Sequence, residues 1–382
     1  MFIPEGFLFS AVSCGIKNEG KLDLGLIFSP YKLTSWGCFT KNTVKAAPVI
    51  LGKRLIREPI TKGILVNSGI ANACTGKEGI RRAKLLLERV AQRLKVPKDT
   101  ILPASTGVIG EQLPLEKIIP KIEDLIKALN PENYISFAKS IMTTDTFPKL
   151  VSKKTKDDIV ILGIAKGAGM IAPNMATMLA FILTDAEIPK DYLKKIFPKF
   201  VEKSFNRITV DGDTSTNDTV YMLASNLKPI KFGKEFENHC LEVMQELAHL
   251  IIKDGEGAGK VIKVHIKGAK TKRDAQVFAE SVANSLLVKT AFYGEDPNWG
   301  RIFSALGKTG IEFKVEEVEL YINNVLWIKN LKMINPEEKI KKEMSKDNVE
   351  VLIKLKEGKI SYEVLTCDLT EEYIKINAHY RT

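Results

Sequence analysis

Apolar and polar positions along the chain alternate with two different periods, and each period marks one kind of element. Between 79 and 95, Ile80, Ala83, Leu87, Val90 and Leu94 recur every three or four positions, one stripe of a helix at ~100° per residue. Pro97 ends that helix, because a proline ring cannot continue the backbone ladder. The same spacing predicts a helix over 190–205 with an interruption at Pro198. It predicts another through Phe236, Cys240, Val243, Leu247 and Leu250, and one over about 274–288 with Val277, Phe278, Val282 and Leu286 inward. Gly63-Ile-Leu-Val-Asn-Ser-Gly69 reads as a buried strand entering a polar turn, where Asn67, Ser68, Asn72 and Thr75 can bond their own backbone. The run 178–183 is apolar enough for a buried strand or helix. Ile208-Thr-Val210 reads as a strand running into a polar turn with Asp211, Asp213 and Asp218. The chain beyond about 310 is β-rich: 318–328 as two strands around Asn323-Asn324, and 349–355 with 360–364 as a hairpin about Lys356-Glu-Gly-Lys359. Its end, through Tyr373, Ile374, Ile376 and Tyr380, continues the β-like pattern. No internal repeat is evident.

Length and composition narrow the class. A chain of 382 residues exceeds one ordinary core, so two domains are expected. With 45% apolar and 27% charged residues it reads as a soluble globular protein. No segment approaches the ~20 uncharged apolar residues of a membrane span, and the first ten residues lack the basic start of a signal peptide. A cytoplasmic protein without membrane attachment is expected. Five scattered cysteines without a Cys-x-x-Cys pair argue for reduced thiols. The four histidines show no ligand spacing, so no metal is expected. The net charge of +11 comes from lysines interleaved with glutamates, as in 336–343, which suits a solvated surface better than a nucleic-acid face.

Four stretches carry candidate chemistry. The central one is 163–186, where Gly163, Gly167 and Gly169 precede Pro173-Asn174 and Thr177 opens the apolar run. A phosphate-binding loop is one reading, but the Gly-Lys-Ser/Thr ending is missing. A second is a glycine turn feeding a core element, with Thr177 as a cap. In the third, Thr177 attacks the carbonyl of Ala176, cuts the chain, and then works as an N-terminal nucleophile whose freed amine is the base. The second stretch is Pro103-Ala-Ser-Thr-Gly-Val-Ile-Gly110: Thr106 offers a hydroxyl, and at Gly107 a backbone N–H can approach a substrate closely. Met142-Thr-Thr-Asp-Thr146 is the third and doubles as helix-capping material. In Asp254-Gly-Glu-Gly-Ala-Gly-Lys260, Glu256 is presented between glycines, where a carboxylate can hold a cationic amine.

These stretches, together with Asn67-Ser-Gly-Ile-Ala-Asn-Ala-Cys-Thr-Gly76, Asp296-Pro-Asn-Trp-Gly-Arg301 and the last residues, resemble the ornithine acetyltransferases, the ArgJ family of arginine biosynthesis, over nearly the whole chain. Ile70 and Gly259 depart from the family pattern, which has Asn and Thr there. The resemblance implies an α/β fold of layered sheets flanked by helices, like that of self-cleaving N-terminal-nucleophile aminopeptidases. It implies cleavage between Ala176 and Thr177 into chains 1–176 and 177–382, assembled as an α2β2 heterotetramer. It further implies acetyl transfer from N-acetylornithine to glutamate through acetyl-Thr177, without a cofactor, with acetyl-CoA as a candidate second donor. Thr106 and Gly107 become the oxyanion donors, and Thr143, Lys166, Thr177, Glu256, Asn377 and Thr382 the substrate-binding residues. Asp296–Arg301 takes a turn-forming role. The alternative within the same chemistry is a self-processed aminopeptidase or amidase, in which water resolves the acyl-enzyme.

Overall fold

The structure, a computed structural model, describes residues 1–382 except 19, 173–177, 232 and 380–382. The described residues form two compact units. The first takes Met1–Asn206 and Asp213–Ile251, and the second takes Arg207–Gly212 and the described residues from Ile252 to His379.

The first unit is built on a mixed sheet of strands β1 (Leu8–Val12), β2 (Leu24–Phe39), β3 (Thr61–Ile70), β4 (Ile101–Val108), β5 (Lys149–Lys154), β6 (Val160–Lys166), β7 (Leu179–Ala186) and β8 (Thr219–Lys228). Their order is β4-β3-β2-β8-β7-β6-β5, with β1 on β2, and β3–β4 and β7–β8 are the parallel pairs. Strand β2 changes partner along its length. Leu24–Phe28 pairs with β3, and Thr34–Phe39 with β8. Pro30 lies between, where a residue without an N–H breaks the ladder. The expected strand at 63–69 is β3, and the expected helix at 79–95 is Gly76–Leu94, closed by Lys95 in the left-handed region at φ 56°.

Strands β6 and β7 are buried at every position, the pattern of strands covered on both faces. On one face Phe181 meets Phe137 of helix Tyr134–Ser140 at 5.7 Å and stacks on Tyr221 at 6.4 Å. On the other, Gly163 lies opposite Ile182 beneath helix Gly233–Lys253. A Cβ on Gly163 would lie 2.5 Å from Leu247 Cδ1 and 2.7 Å from Val243 Cγ1, so this glycine sets how closely the helix approaches the sheet.

Helix Lys190–Glu202 runs through Pro198 without the expected interruption. An interior proline costs about 3 kcal/mol. The helix buries Leu193, Ile196, Phe197, Phe200 and Val201, each worth about 1.5–3 kcal/mol, and that face outweighs the lost bond.

In the second unit, β9 (Val261–Ala269), β10 (Glu319–Ile322), β11 (Val325–Lys329), β12 (Lys332–Met333), β13 (Asn348–Lys354) and β14 (Ile360–Cys367) form a sheet of order β12-β11-β10-β13-β9-β14. β10 and β11 make the expected hairpin, with Asn323 and Asn324 both at positive φ as a tight two-residue turn demands. β13 and β14 do not pair as the expected hairpin. β9 lies between them, parallel to β13 and antiparallel to β14. Their link steps over the end of β9, where the Gly268 carbonyl accepts the N–H groups of Glu357 (3.0 Å) and Gly358 (2.8 Å).

Three other expectations change in this unit. The helix expected at 274–288 is two helices, Lys272–Ala283 and Leu286–Tyr293, because the Ser285 hydroxyl caps a new start by accepting from Val288 N; Leu286 is 65% exposed, not inward. Ile208 makes a single bridge to Leu365 in place of a strand. The β-like end is a helix, Glu371–His379, with Glu371 and Glu372 in its first turn, where negative charge suits the helix dipole. Tyr380 lies outside the described residues. Among the described residues, no helix is long and apolar enough to cross a membrane.

The close approach at Gly163 can be measured. Gly163→Leu should lower the thermal midpoint by several degrees, since overpacking costs about 1–3 kcal/mol. Gly307→Ala, at the end of helix Trp299–Gly307 with open space around it, should be neutral or slightly stabilising. Thermal unfolding followed by circular dichroism separates the two, and a Gly163→Leu protein as stable as wild type would remove the packing argument.

Candidate active site

Strand β6 ends in Lys166, whose side chain is 2% exposed. Its Nζ donates to Thr143 Oγ1 at 2.8 Å and to Thr106 Oγ1 at 3.2 Å. Three of the residues expected at the site, far apart in the chain, thus meet at one buried ammonium. Because Thr106 Oγ1 is an acceptor in this contact, the hydroxyl hydrogen is left to donate, as an oxyanion donor must.

Asp145 is the counter-ion. Its Oδ1 accepts from Lys149 Nζ (2.6 Å) and Gly167 N (2.7 Å), and its Oδ2 from Thr143 N (3.0 Å). The Asp145 and Lys149 side chains are both fully buried. Burial by itself pushes the Asp145 carboxyl up, but the charges of Lys166 and Lys149 and the hydrogen bonds outweigh it and hold the group at about 2.

The other expected oxyanion donor, Gly107, sits near the end of β4 at φ +130°. A Cβ there would lie 2.2 Å from the Gly69 carbonyl carbon, so only glycine fits. The polar residues around this pair do more than bond their own turns. Asn67 Nδ2 donates to Ile70 O at 2.8 Å, as turn chemistry predicts, and Asn67 Oδ1 also accepts from Ser105 Oγ at 2.6 Å. Asn217 Nδ2 then joins β4 to the loop after β3 by donating to Ser105 O (2.8 Å) and Ala71 O (2.6 Å). Of the three aspartates in the turn after 210, only Asp218 is fully buried. Its Oδ1 accepts from Met178 N at 2.9 Å. Burial pushes its carboxyl well above the ordinary range, against the opposing pull of the Met178 N–H, Lys166 and Thr40. Ala176 and Thr177, the expected cleavage pair and nucleophile, lie outside the described residues, as does Thr382.

A second group of expected residues assembles within the second unit. Glu256 is 7% exposed, and its Oε2 accepts from Asn377 Nδ2 at 2.8 Å. The same Nδ2 donates to Tyr373 O at 3.0 Å, so both amide hydrogens of Asn377 are engaged and its carbonyl oxygen is the group left for a ligand. Thr370 Oγ1 donates to Gly257 O at 2.7 Å, and a Cβ on Gly257 would meet Tyr373 N at 2.6 Å, so the glycine lets the last helix begin against this loop. Asp368 Oδ1 accepts from Gly259 N and Lys260 N, a backbone role for the position where the hydroxyl is missing. The Asp296–Trp299 turn opens helix Trp299–Gly307, as its turn-forming reading requires.

The sequence reading leaves Asp145 as capping material and gives Lys149 no role. Their four-residue spacing looks like any surface pair, and only the packing of β5 and β6 buries it.

Asp145→Asn should therefore unbalance two buried lysines and cost about 3–5 kcal/mol. In the wild type, the Asp145 carboxyl is held below its ordinary 3.8, so its contribution is complete above that pH and is lost as the pH falls toward 2. Urea unfolding across acid pH should show a fall over that window that is absent from Asp145→Asn. Equal acid sensitivity in both proteins would show that another group is responsible.

Comparison with known proteins shows the family of the chain. A model of the ArgJ family matches residues 8–382. The chain is 44% identical to the arginine biosynthesis bifunctional protein ArgJ of Thermotoga neapolitana, over 100% of both chains. It is 45% identical to the glutamate N-acetyltransferase of Methanocaldococcus jannaschii, over 99% of this chain and 98% of that one. The crystal structure of the bifunctional protein ArgJ of Bacillus halodurans aligns with a TM-score of 0.50 at 36% identity, covering 52% of this chain and 98% of that one. The fold is the mixed α/β arrangement of sheets and flanking helices expected from the resemblance, and the chain belongs to the ArgJ family.

Proposed function

We propose that this protein is an acyltransferase that moves the acetyl group of N-acetylornithine to glutamate through an acetylated Thr177. The relatives named above support the reaction class. The observation that carries the reading is the meeting of Thr106 and Thr143 on the buried Lys166 ammonium, with Gly107 beside Thr106. The precursor cuts itself between Ala176 and Thr177, and the two chains assemble as an α2β2 heterotetramer in the cytoplasm.

The freed amine of Thr177, with a pKa near ~8, takes the proton of its own hydroxyl. The hydroxyl oxygen attacks the acetyl carbonyl, and Thr106 Oγ1 and Gly107 N–H stabilise the oxyanion. Ornithine leaves with the transferred proton. The amine of glutamate then attacks the acetyl-threonine, forming N-acetylglutamate and restoring the hydroxyl. Thr143 and Lys166 hold substrate carboxylate, and Glu256, Asn377 and Thr382 complete substrate binding, with Glu256 suited to a cationic amine. The chemistry requires no metal or organic cofactor, and acetyl-CoA is a candidate second donor.

Intact mass of the 42.6 kDa chain should show pieces of about 20 and 23 kDa, the larger beginning at Thr177. Thr177→Ala should stay in one piece and transfer nothing. Full-length protein that is active would overturn the mechanism. Ornithine release with and without glutamate tests the acceptor, because an amidase would release it equally in both. A steady-state assay with acetyl-CoA plus glutamate, reading free CoA and N-acetylglutamate, tests the second donor.

Thr106→Ala should lower kcat by two to three orders of magnitude, about 3 kcal/mol for one oxyanion donor. KM should move much less. A normal kcat with raised KM would make Thr106 a binding residue.

A further inference from the structure

The loop between β1 and β2 is built to place one lysine. Asp23 is fully buried, and its carboxylate gathers three backbone N–H groups: Oδ1 accepts from Cys14 (2.7 Å), and Oδ2 from Ile16 (2.7 Å) and Lys17 (3.1 Å). Lys117 Nζ holds the loop from outside by donating to Gly15 O at 3.0 Å, and Gly15 takes φ +74°. A carboxylate saturated by backbone donors fixes a loop firmly, since each charge-assisted bond is stronger than a neutral one.

What this anchoring presents is Lys17. Its stem lies over Gly69: a Cβ on that glycine would be 3.0 Å from Lys17 Cγ and 2.9 Å from Ile16 Cγ2. Gly69 is the residue on which Gly107 stacks. The Lys17 ammonium donates to Met142 O at 2.8 Å, one residue before Thr143. Lys17 thus spans from the Gly69–Gly107 pair to the Thr143–Lys166 contact. Among the described residues its ammonium makes one hydrogen bond, although it carries three donors. The charges of Lys166 and Lys21 act on the Lys17 ammonium and are opposed by those of Asp23 and Asp145.

We propose that Lys17 selects the acceptor: its ammonium pairs with the side-chain carboxylate of the dicarboxylic amino acid that takes the acyl group. The inference rests on the transfer reading above. In that reaction two amino acids use one site in turn, one with a cationic side chain and one with a second carboxylate. Lys166 and Thr143 suit the α-carboxylate that both share. Only the acceptor requires a further cation.

The surroundings let Lys17 serve both occupants. Burial first, then Lys166 and Lys21, lower its pKa to about 8, against the opposing pull of Asp23 and Asp145. An amine so poised releases its proton at little cost when the cationic side chain is present and keeps it when a carboxylate arrives.

Lys17→Met keeps the stem on Gly69 and removes the charge. Steady-state transfer from N-acetylornithine should show KM for glutamate raised about tenfold to a hundredfold, the worth of one charged hydrogen bond. The loss should fall on that KM rather than on kcat or on KM for N-acetylornithine. The preference for glutamate over glutamine, its neutral isostere, should shrink by a similar factor, and Lys17→Arg should restore most of it. In the wild type, KM for glutamate should rise as the pH passes about 8, where the ammonium loses its proton. An unchanged glutamate KM and unchanged preference in Lys17→Met overturns the proposal, and so does a parallel rise in both substrates' KM. Should Lys17→Met fail to fold, the wild-type profile decides, and a glutamate KM flat from about pH 7 to about 9 overturns it. A wild type that releases no ornithine in response to glutamate defeats the transfer reading itself, whereas loss of the Lys17 effect in a working transferase defeats this proposal alone.

Discussion

The first unit depends on keeping the ammonium of Lys166 charged inside a protein. An ion of that size loses several kcal/mol of hydration when buried and stays charged only if matched by an opposite charge and hydrogen bonds. Asp145 provides the charge, and Thr106 and Thr143 provide hydroxyl acceptors. Asp145 must itself be matched, which Lys149, Gly167 N and Thr143 N accomplish. Segments around 106, 143 and 166 are thereby locked to one another by groups that cannot be removed singly. The same arrangement turns the hydrogen of the Thr106 hydroxyl outward from the lysine, which joins the stability of the site to its proposed chemistry.

Holding that cluster requires β6 to be shielded on both faces. Gly163 admits the helix Gly233–Lys253 on one side, and Phe181 with Phe137 closes the other. A low-dielectric surround strengthens every interaction inside it and makes each unpaired group more costly. The fully buried Asp218 shows the second effect, since burial drives it toward its neutral form even though Met178 N and Thr40 bond to it.

Glycine is used where backbones meet at less than side-chain distance. Gly107 on Gly69 and Gly69 beneath Lys17 form a stack with no room for a Cβ at either glycine. Gly257 plays the same part in the second unit, where Glu256 and Asn377 pair beside the start of the last helix. That pairing spends the amide hydrogens of Asn377 within the protein, so its proposed contact with substrate runs through the carbonyl oxygen.

Local pattern in the sequence determined the elements whose causes are local. The helix Gly76–Leu94 follows from one apolar stripe, the Asn323-Asn324 hairpin from two residues that tolerate positive φ, and the burial of 178–183, though not its strand form, from an unbroken apolar run. The motifs also carried the family, and among the residues they singled out Thr106 and Thr143 meet on Lys166 and Glu256 pairs with Asn377. Tertiary structure alone decided who pairs with whom. β9 separates β13 from β14 because strand pairing is chosen by long-range contacts that periodicity does not contain. Helix Lys190–Glu202 keeps Pro198 because burial of a whole face outweighs one lost hydrogen bond. Lys149, Asp23 and Lys17 were silent in the sequence, and Asp145 read only as capping material, for the same reason. A charged residue gains a role at a site when packing removes water from it, and desolvation is a property of the assembled chain rather than of any stretch of it.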